Sequence, residues 1–366
     1  MTRCSLSLPL RLFPTLVLAA PAAWSQTDTI HLVNGDKIER VKVEDYDYEQ
    51  VKYQSGRIES TQPRDQVASI EFGQPAIAKL FETAKKLTND QQYQDAFVAW
   101  IDAADKAQKS KALEPFEQVA LFEAFKIAQL VGEAGDIKGV VDRLEKTKDG
   151  RSAYLPEVWA YRLDKARDSA GNDRGKLENY KEGVKQYAAF VGEKGLGDRF
   201  KFEAELYDID AKSRLVEMKP AEAKSQLERM LPTVETNYPG LANRIHLALA
   251  NAVLAAGSYD EAQKLFSNIV DSKSADDGTR AQALVGRGHS WLRRDNLTPE
   301  QARNALLDYM RVAIIYDKVG DEVVGEALYH AITAYDRWNG VDKETAKRRI
   351  RTRLKLDYSK SSWADK

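Results

Sequence analysis

Residues 247–270, LALANAVLAAGSYDEAQKLFSNIV, decide how the chain is read. Leu247, Leu249, Ala250, Val253 and Leu254 fall at spacings that share one face of a helix. Gly257 is placed to end that helix, because a residue without a Cβ enters the left-handed region at little cost. Ser258 is then positioned to cap a second helix, and Asp260 and Glu261 suit its positive N-terminal end. Ala262, Leu265, Phe266 and Ile269 give that second helix an apolar face, and the small Ala262 lets the two helices approach closely. Neither helix can bury its face alone, so neighbouring pairs must stack.

The segment resembles a tetratricopeptide repeat. Ala250, Gly257, Tyr259, Ala262 and Phe266 stand where that family has its small, glycine, aromatic, alanine and aromatic positions, while Ser274 replaces the usual proline after the second helix. Residues 80–103 form a second copy, with Leu80, Ala84, Leu87, Tyr93, Ala96, Trp100 and Ala103 in register. A third, over 128–144, keeps Ala128, Gly135 and Leu144 but has Val140 for the packing alanine. The run Asn237-Tyr238-Pro239-Gly240-Leu241-Ala242 resembles the inter-repeat join of bacterial periplasmic repeat proteins of the Tol-Pal and outer-membrane assembly systems. Residues 358–364 echo it, with Ser359 for the proline.

Working outward, helices are expected at about 76–89, 92–108, 114–132, 136–147, 156–170, 174–191, 198–217, 220–236, 241–256, 259–271, 276–294, 299–316, 320–338 and 342–356. The expected fold is therefore mainly α: a TPR-like solenoid of about seven helical hairpins over 76–366, behind a small antiparallel β domain. Pro220 and Pro299 sit at first-turn positions with Glu close behind, and Gly171, Gly192 and Gly240 punctuate the joins.

The period changes over 26–73. Thr29 to Val33 lead into Asn34-Gly35, a strong hairpin signal, and 37–43 alternate polar and apolar. Residues 51–53, 57–59 and 67–72 supply further short strands, so about five are expected. The pattern resembles an SH3-like or Sm-like small barrel. So short a segment is a marginal core by itself, and packing on the first helical pair is expected. Gly73-Gln74-Pro75 marks the boundary.

Residues 1–25 read as a secretory signal: Arg3 and Arg11 carry positive charge, Leu12 to Ala23 form the apolar run, and Ala23-Trp24-Ser25 is a small-x-small cleavage site before Gln26. The apolar run is short and interrupted by Pro14 and Pro21, which argues against a membrane span. Cys4 precedes the run, the wrong side for a lipoprotein anchor. Cleavage after Ser25 removes two arginines and no acid, moving the formal net charge from −1 to −3, and takes away the chain's 1 cysteine. Near-neutral charge argues against general nucleic-acid or anionic-membrane binding, and a mature chain without cysteine must hold by packing. A periplasmic location follows as the expectation.

The sequence carries few patterns of catalytic chemistry. His31, His246, His289 and His330 read as isolated, without an HExxH pattern, so no metal is expected. Gly288-His289-Ser290 lacks the second glycine of a nucleophile elbow. Gly192, Gly195 and Gly197 lack the strand and the Gly-Lys-Ser/Thr ending of a phosphate loop. No catalytic residue and no cofactor is expected. Asp276-Asp277 and Asp321-Glu322 sit at helix starts, where the helix dipole accounts for them. The tetratricopeptide resemblance implies that the first helix of each pair lines a groove, which places Phe125 and Gln129, and Arg244 and Asn251, toward a partner. The last helix is basic, with Lys343, Lys347, Arg348, Arg349, Arg351, Arg353 and Lys355 around an Ile350 and Leu354 stripe, and is open to an acidic partner or lipid headgroups. The expected function is a non-enzymatic scaffold for another envelope protein. Two other readings stay open: a cell-wall-glycan enzyme with paired carboxylates between β domain and array, and self-assembly through the end repeats.

Overall fold

The computed structural model describes residues 27–73, 75–109, 113–131, 134–171 and 173–366. The expected signal segment and its Ser25/Gln26 cleavage site lie outside the described residues.

The chain begins with five antiparallel strands: β1 (Asp28–Leu32), β2 (Lys37–Tyr46), β3 (Gln50–Ser55), β4 (Ile58–Pro63) and β5 (Val67–Glu71), in sheet order β4-β3-β2-β1-β5. Asn34 and Gly35 make the β1–β2 turn, with Gly35 at φ +93. The long β2 is shared. Its first half pairs with β1 (Ile30 opposite Ile38) and its second half with β3 (Tyr46 opposite Val51). Ile30, Val41, Val43, Val51 and Val67 close the core of this head. Asp28 is buried at its centre, where its carboxylate accepts the backbone N–H groups of Val43 and Gly73.

Helices then follow in pairs: α1 (Pro75–Asn89) with α2 (Tyr93–Gln108), α3 (Glu114–Val131) with α4 (Ala134–Lys146), α5 (Leu155–Ala170) with α6 (Arg174–Glu193), and α7 (Asp198–Arg214) with α8 (Pro220–Asn237). The array continues with α9 (Pro239–Ala255) and α10 (Tyr259–Asp271), α11 (Asp277–Leu292) and α12 (Pro299–Ile315), and α13 (Asp321–Trp338) and α14 (Lys343–Asp357). The protein is thus mainly helical, with repeated helix pairs behind a small sheet.

Local chemistry explains the joints. Gly257 takes φ +82 after α9, and the Ser258 amide reaches back to Val253 O, a Schellman-type ending. The expected side-chain cap by Ser258 is not formed; its carbonyl accepts from Ala262 N instead. Before α12, Thr298 and Gln301 exchange side-chain and backbone hydrogen bonds in a capping box, with Pro299 next.

Successive first helices touch one another: α5 with α7, α7 with α9, α9 with α11, α11 with α13. The second helices stand farther apart, so the first helices form the inner face of a curved array. The head packs on the first pair as expected, with Phe72 against Phe81 of α1 at 6.0 Å between ring centroids. It also runs on along the starts of α3, α5, α7 and α9, which the sequence did not foretell. Gln118 of α3 donates to Tyr46 O of β2 and accepts from Ala153 N, joining three segments. Val33 packs into the apolar cluster of the α7–α11 region.

The head also holds the array where two pairs part. Between α4 and α5, Lys148 and Asp149 both adopt left-handed backbone, at φ +56 and +53. Non-glycine residues resist that region. Lys148 pairs with Asp45 and Arg151 with Asp47, both from the head, and these contacts hold the strained segment in place.

Candidate functional site

The inner face of the array carries a ladder of polar side chains that crosses from one first helix to the next. Tyr207 of α7 donates its hydroxyl to Asp164 of α5 at 3.1 Å and lies near Ala160 O at 3.3 Å. Arg244 of α9 pairs with Glu203 of α7 and lies over the Tyr207 ring, 5.2 Å from its centroid. From behind, Tyr187 and Tyr180 of α6 donate to Glu203 and Asp210, each at 3.1 Å. Arg167 and Arg214 close the set on Asp164 and Asp210. Burial raises the Asp164 carboxyl above its ordinary value, and Arg167, Arg244 and the Tyr207 hydroxyl only partly oppose it.

Farther along, α11 and α13 bring two histidines and a glutamate together. Glu326 and His330 are one turn apart on α13, and His289 faces them from α11. His289 Nε2 lies 3.0 Å from Glu326 Oε1, its Nδ1 lies 2.9 Å from the Tyr309 hydroxyl, and its ring meets His330 edge-on at 4.6 Å. The C-terminal residues fold back over this corner. Trp363 packs on His330 and Tyr329, and Glu322 accepts from Ser362 N at 2.7 Å. Burial and the neighbouring His289 push the His330 imidazole down to about 4. Burial works against the Glu326 charge, but the hydrogen bond from His289 and the charges of His289, His330 and Arg214 outweigh it and hold the carboxyl below its usual range.

Two of the four partner-facing expectations find exposed side chains. Gln129 and Asn251 are open to solvent, and Asn251 shares a face of α9 with Arg244. Arg244 is 31 % exposed and committed to Glu203. Phe125 is a correction: it is 2 % exposed and packs edge-on against Tyr161, because its position on α3 faces the next pair rather than the groove. The reading of His289 and His330 as isolated is corrected as well. The Glu326–His330 spacing was legible as an i, i+4 pair. The arrival of His289 from another helix was not.

The junction of head and array is filled rather than cleft-like at its acids. Arg64 is 2 % exposed; it donates to Ala153 O, Val67 O and, at 2.5 Å, Glu157, between the rings of Tyr46 and Tyr154. Burial opposes its charge, but Glu157 more than restores it. Asp65 beside it accepts from Tyr238. Two shallow hollows, of ≈ 360 and ≈ 190 Å³, lie along α10, α11 and α12 and are lined by no head residue.

No protein-family model matches the chain, and no curated protein matches it. Among the described residues no helix is long and apolar enough to cross a membrane.

Proposed function

We propose that the protein is an exported, non-enzymatic scaffold that holds a segment of another cell-envelope protein against the inner face of its TPR-like helix array. The observation that carries this reading is the continuous inner face itself. Five successive first helices, α5 to α13, contact one another and present Arg244, Asn251, Glu326 and their neighbours along one curved surface. A polar, charge-alternating wall of this kind suits an extended segment with its own charges and amides, and curved repeat arrays present such surfaces. The strand order and the shared β2 fit the small-barrel resemblance of the head, whose part is to fix the curvature of the groove. Export to the periplasm rests on residues 1–25, and the tetratricopeptide assignment on the repeat positions at 250–266.

The test compares recovery from envelope extracts by the unaltered chain and by variants carrying Gln129→Arg or Asn251→Arg, both at exposed positions. A defined envelope protein retained by the unaltered chain and lost from Asn251→Arg supports the reading. Equal recovery by all three chains contradicts it.

A further inference from the structure

We propose that His289, Glu326 and His330 form a binding site for a divalent first-row transition-metal ion, zinc foremost, which ties α11 to α13 and keeps a coordination position open toward the groove. The ligand atoms of these three side chains all lie within 4.8 Å of one another. Metal–ligand bonds of about 2.0–2.2 Å place neighbouring ligand atoms roughly 3.0–3.5 Å apart, so an inward shift of about 1 Å completes the set. Two imidazoles and one carboxylate are a ligand set that such ions accept, with positions left for water or a partner's side chain.

The surroundings fit ligation rather than simple ion pairing. Tyr309, itself fully buried, holds His289 from the far side at Nδ1, the place of an outer-shell partner that fixes ring orientation. Without metal the consistent arrangement has the Tyr309 hydroxyl donating to Nδ1 and Nε2–H donating to Glu326. With metal on Nε2, the Nδ1–H donates to the Tyr309 oxygen, so the hydroxyl changes from donor to acceptor. Gly288 lets the Tyr309 ring come this close; a Cβ there would stand 2.6 Å from it. With two imidazoles among three ligands, the set disfavours calcium and magnesium, which take oxygen ligands.

The experiment uses the full chain, stripped with a chelator and titrated with zinc by calorimetry and with cobalt by visible absorption. The expected result is one ion per chain and the intense visible bands of four- or five-coordinate cobalt. Glu326→Gln and His330→Ala should each weaken zinc by more than the roughly 10–100-fold typical of an outer-shell change, and Tyr309→Phe by about 10-fold, with helical circular dichroism retained. His246→Gln, remote from the cluster, should change nothing. No binding by the unaltered chain, an octahedral cobalt spectrum like that of the aqueous ion, or equal binding after Glu326→Gln and His330→Ala would overturn the proposal.

Discussion

The Tyr238 hydroxyl donates to the Asp65 carboxylate at 2.9 Å, across 173 residues of sequence. Asp65 belongs to the β head and Tyr238 to the start of α9, so this bond fastens the first domain to the middle of the array. Both residues are buried, and Gly197 at the start of α7 leaves room for the carboxylate that a Cβ would overlap. Tyr238→Phe removes the donor and leaves Asp65 with the Arg199 amide at 3.5 Å. A loss of about 1–3 kcal/mol is expected in urea unfolding, and Gly197→Ala should lose a comparable amount by overlap.

Arg64 and Glu157 make the second fastening. Removing one partner leaves a buried charge without its counter-ion. Arg64→Ala should cost about 3–5 kcal/mol in the same assay, since the Tyr46 and Tyr154 rings lose their packing as well. The pair variant Arg64→Met with Glu157→Leu should recover much of that loss, because an apolar pair of similar volume replaces two desolvated charges.

The ladder gives a dependence on pH. Burial raises the folded-state value of Asp164 above 3.8, so the folded chain binds that proton more readily than the unfolded one. The stability this group contributes is therefore fully present below its unfolded value and lost as pH rises through the folded one. Asp164→Asn keeps an acceptor for Tyr207 and removes the titration. Thermal melts from acid to neutral pH should show the variant gaining relative to the unaltered chain as pH rises through the ordinary carboxylate range and somewhat beyond. An unchanging difference would show that Asp164 does not titrate in this way.

Two glycines on α11 set how closely its neighbours approach. A Cβ at Gly286 would overlap the Phe266 ring of α10, and one at Gly288 would press on Tyr309 of α12. Gly288→Ala should lower stability by about 1–3 kcal/mol, measured by unfolding, with helix content kept.

These particulars show what the sequence could and could not reveal. The helices were legible because apolar residues recur at helical spacing and Gly257, Pro220 and Pro299 mark their ends. The strands were legible from alternation on either side of Asn34-Gly35. The attachment of the head beyond the first pair was not, because Arg64 and Asp65 sit in the short turn before β5 and find Glu157 and Tyr238 only once the array has folded. Tyr238 read as part of a join between repeats; its ring also serves as an anchor for the head. Gly288-His289 was weighed as a catalytic elbow, whereas the glycine provides room for Tyr309. Phe125 was assigned by repeat position alone, and packing on Tyr161 decides its burial. Of the His289, Glu326 and His330 cluster, the Glu326–His330 half could have been read from spacing, and the His289 half needed the fold.

The most direct measurement of the central claim is photo-crosslinking in intact cells from a reactive residue at one position at a time. Asn251 reports on the inner face of α9, and Ile314, exposed on α12, reports on a second helix. The expected result is a discrete crosslinked product with one envelope protein from position 251 and none of it from position 314. The same product from both positions, or a product from 314 alone, would contradict a scaffold that holds its partner in the groove.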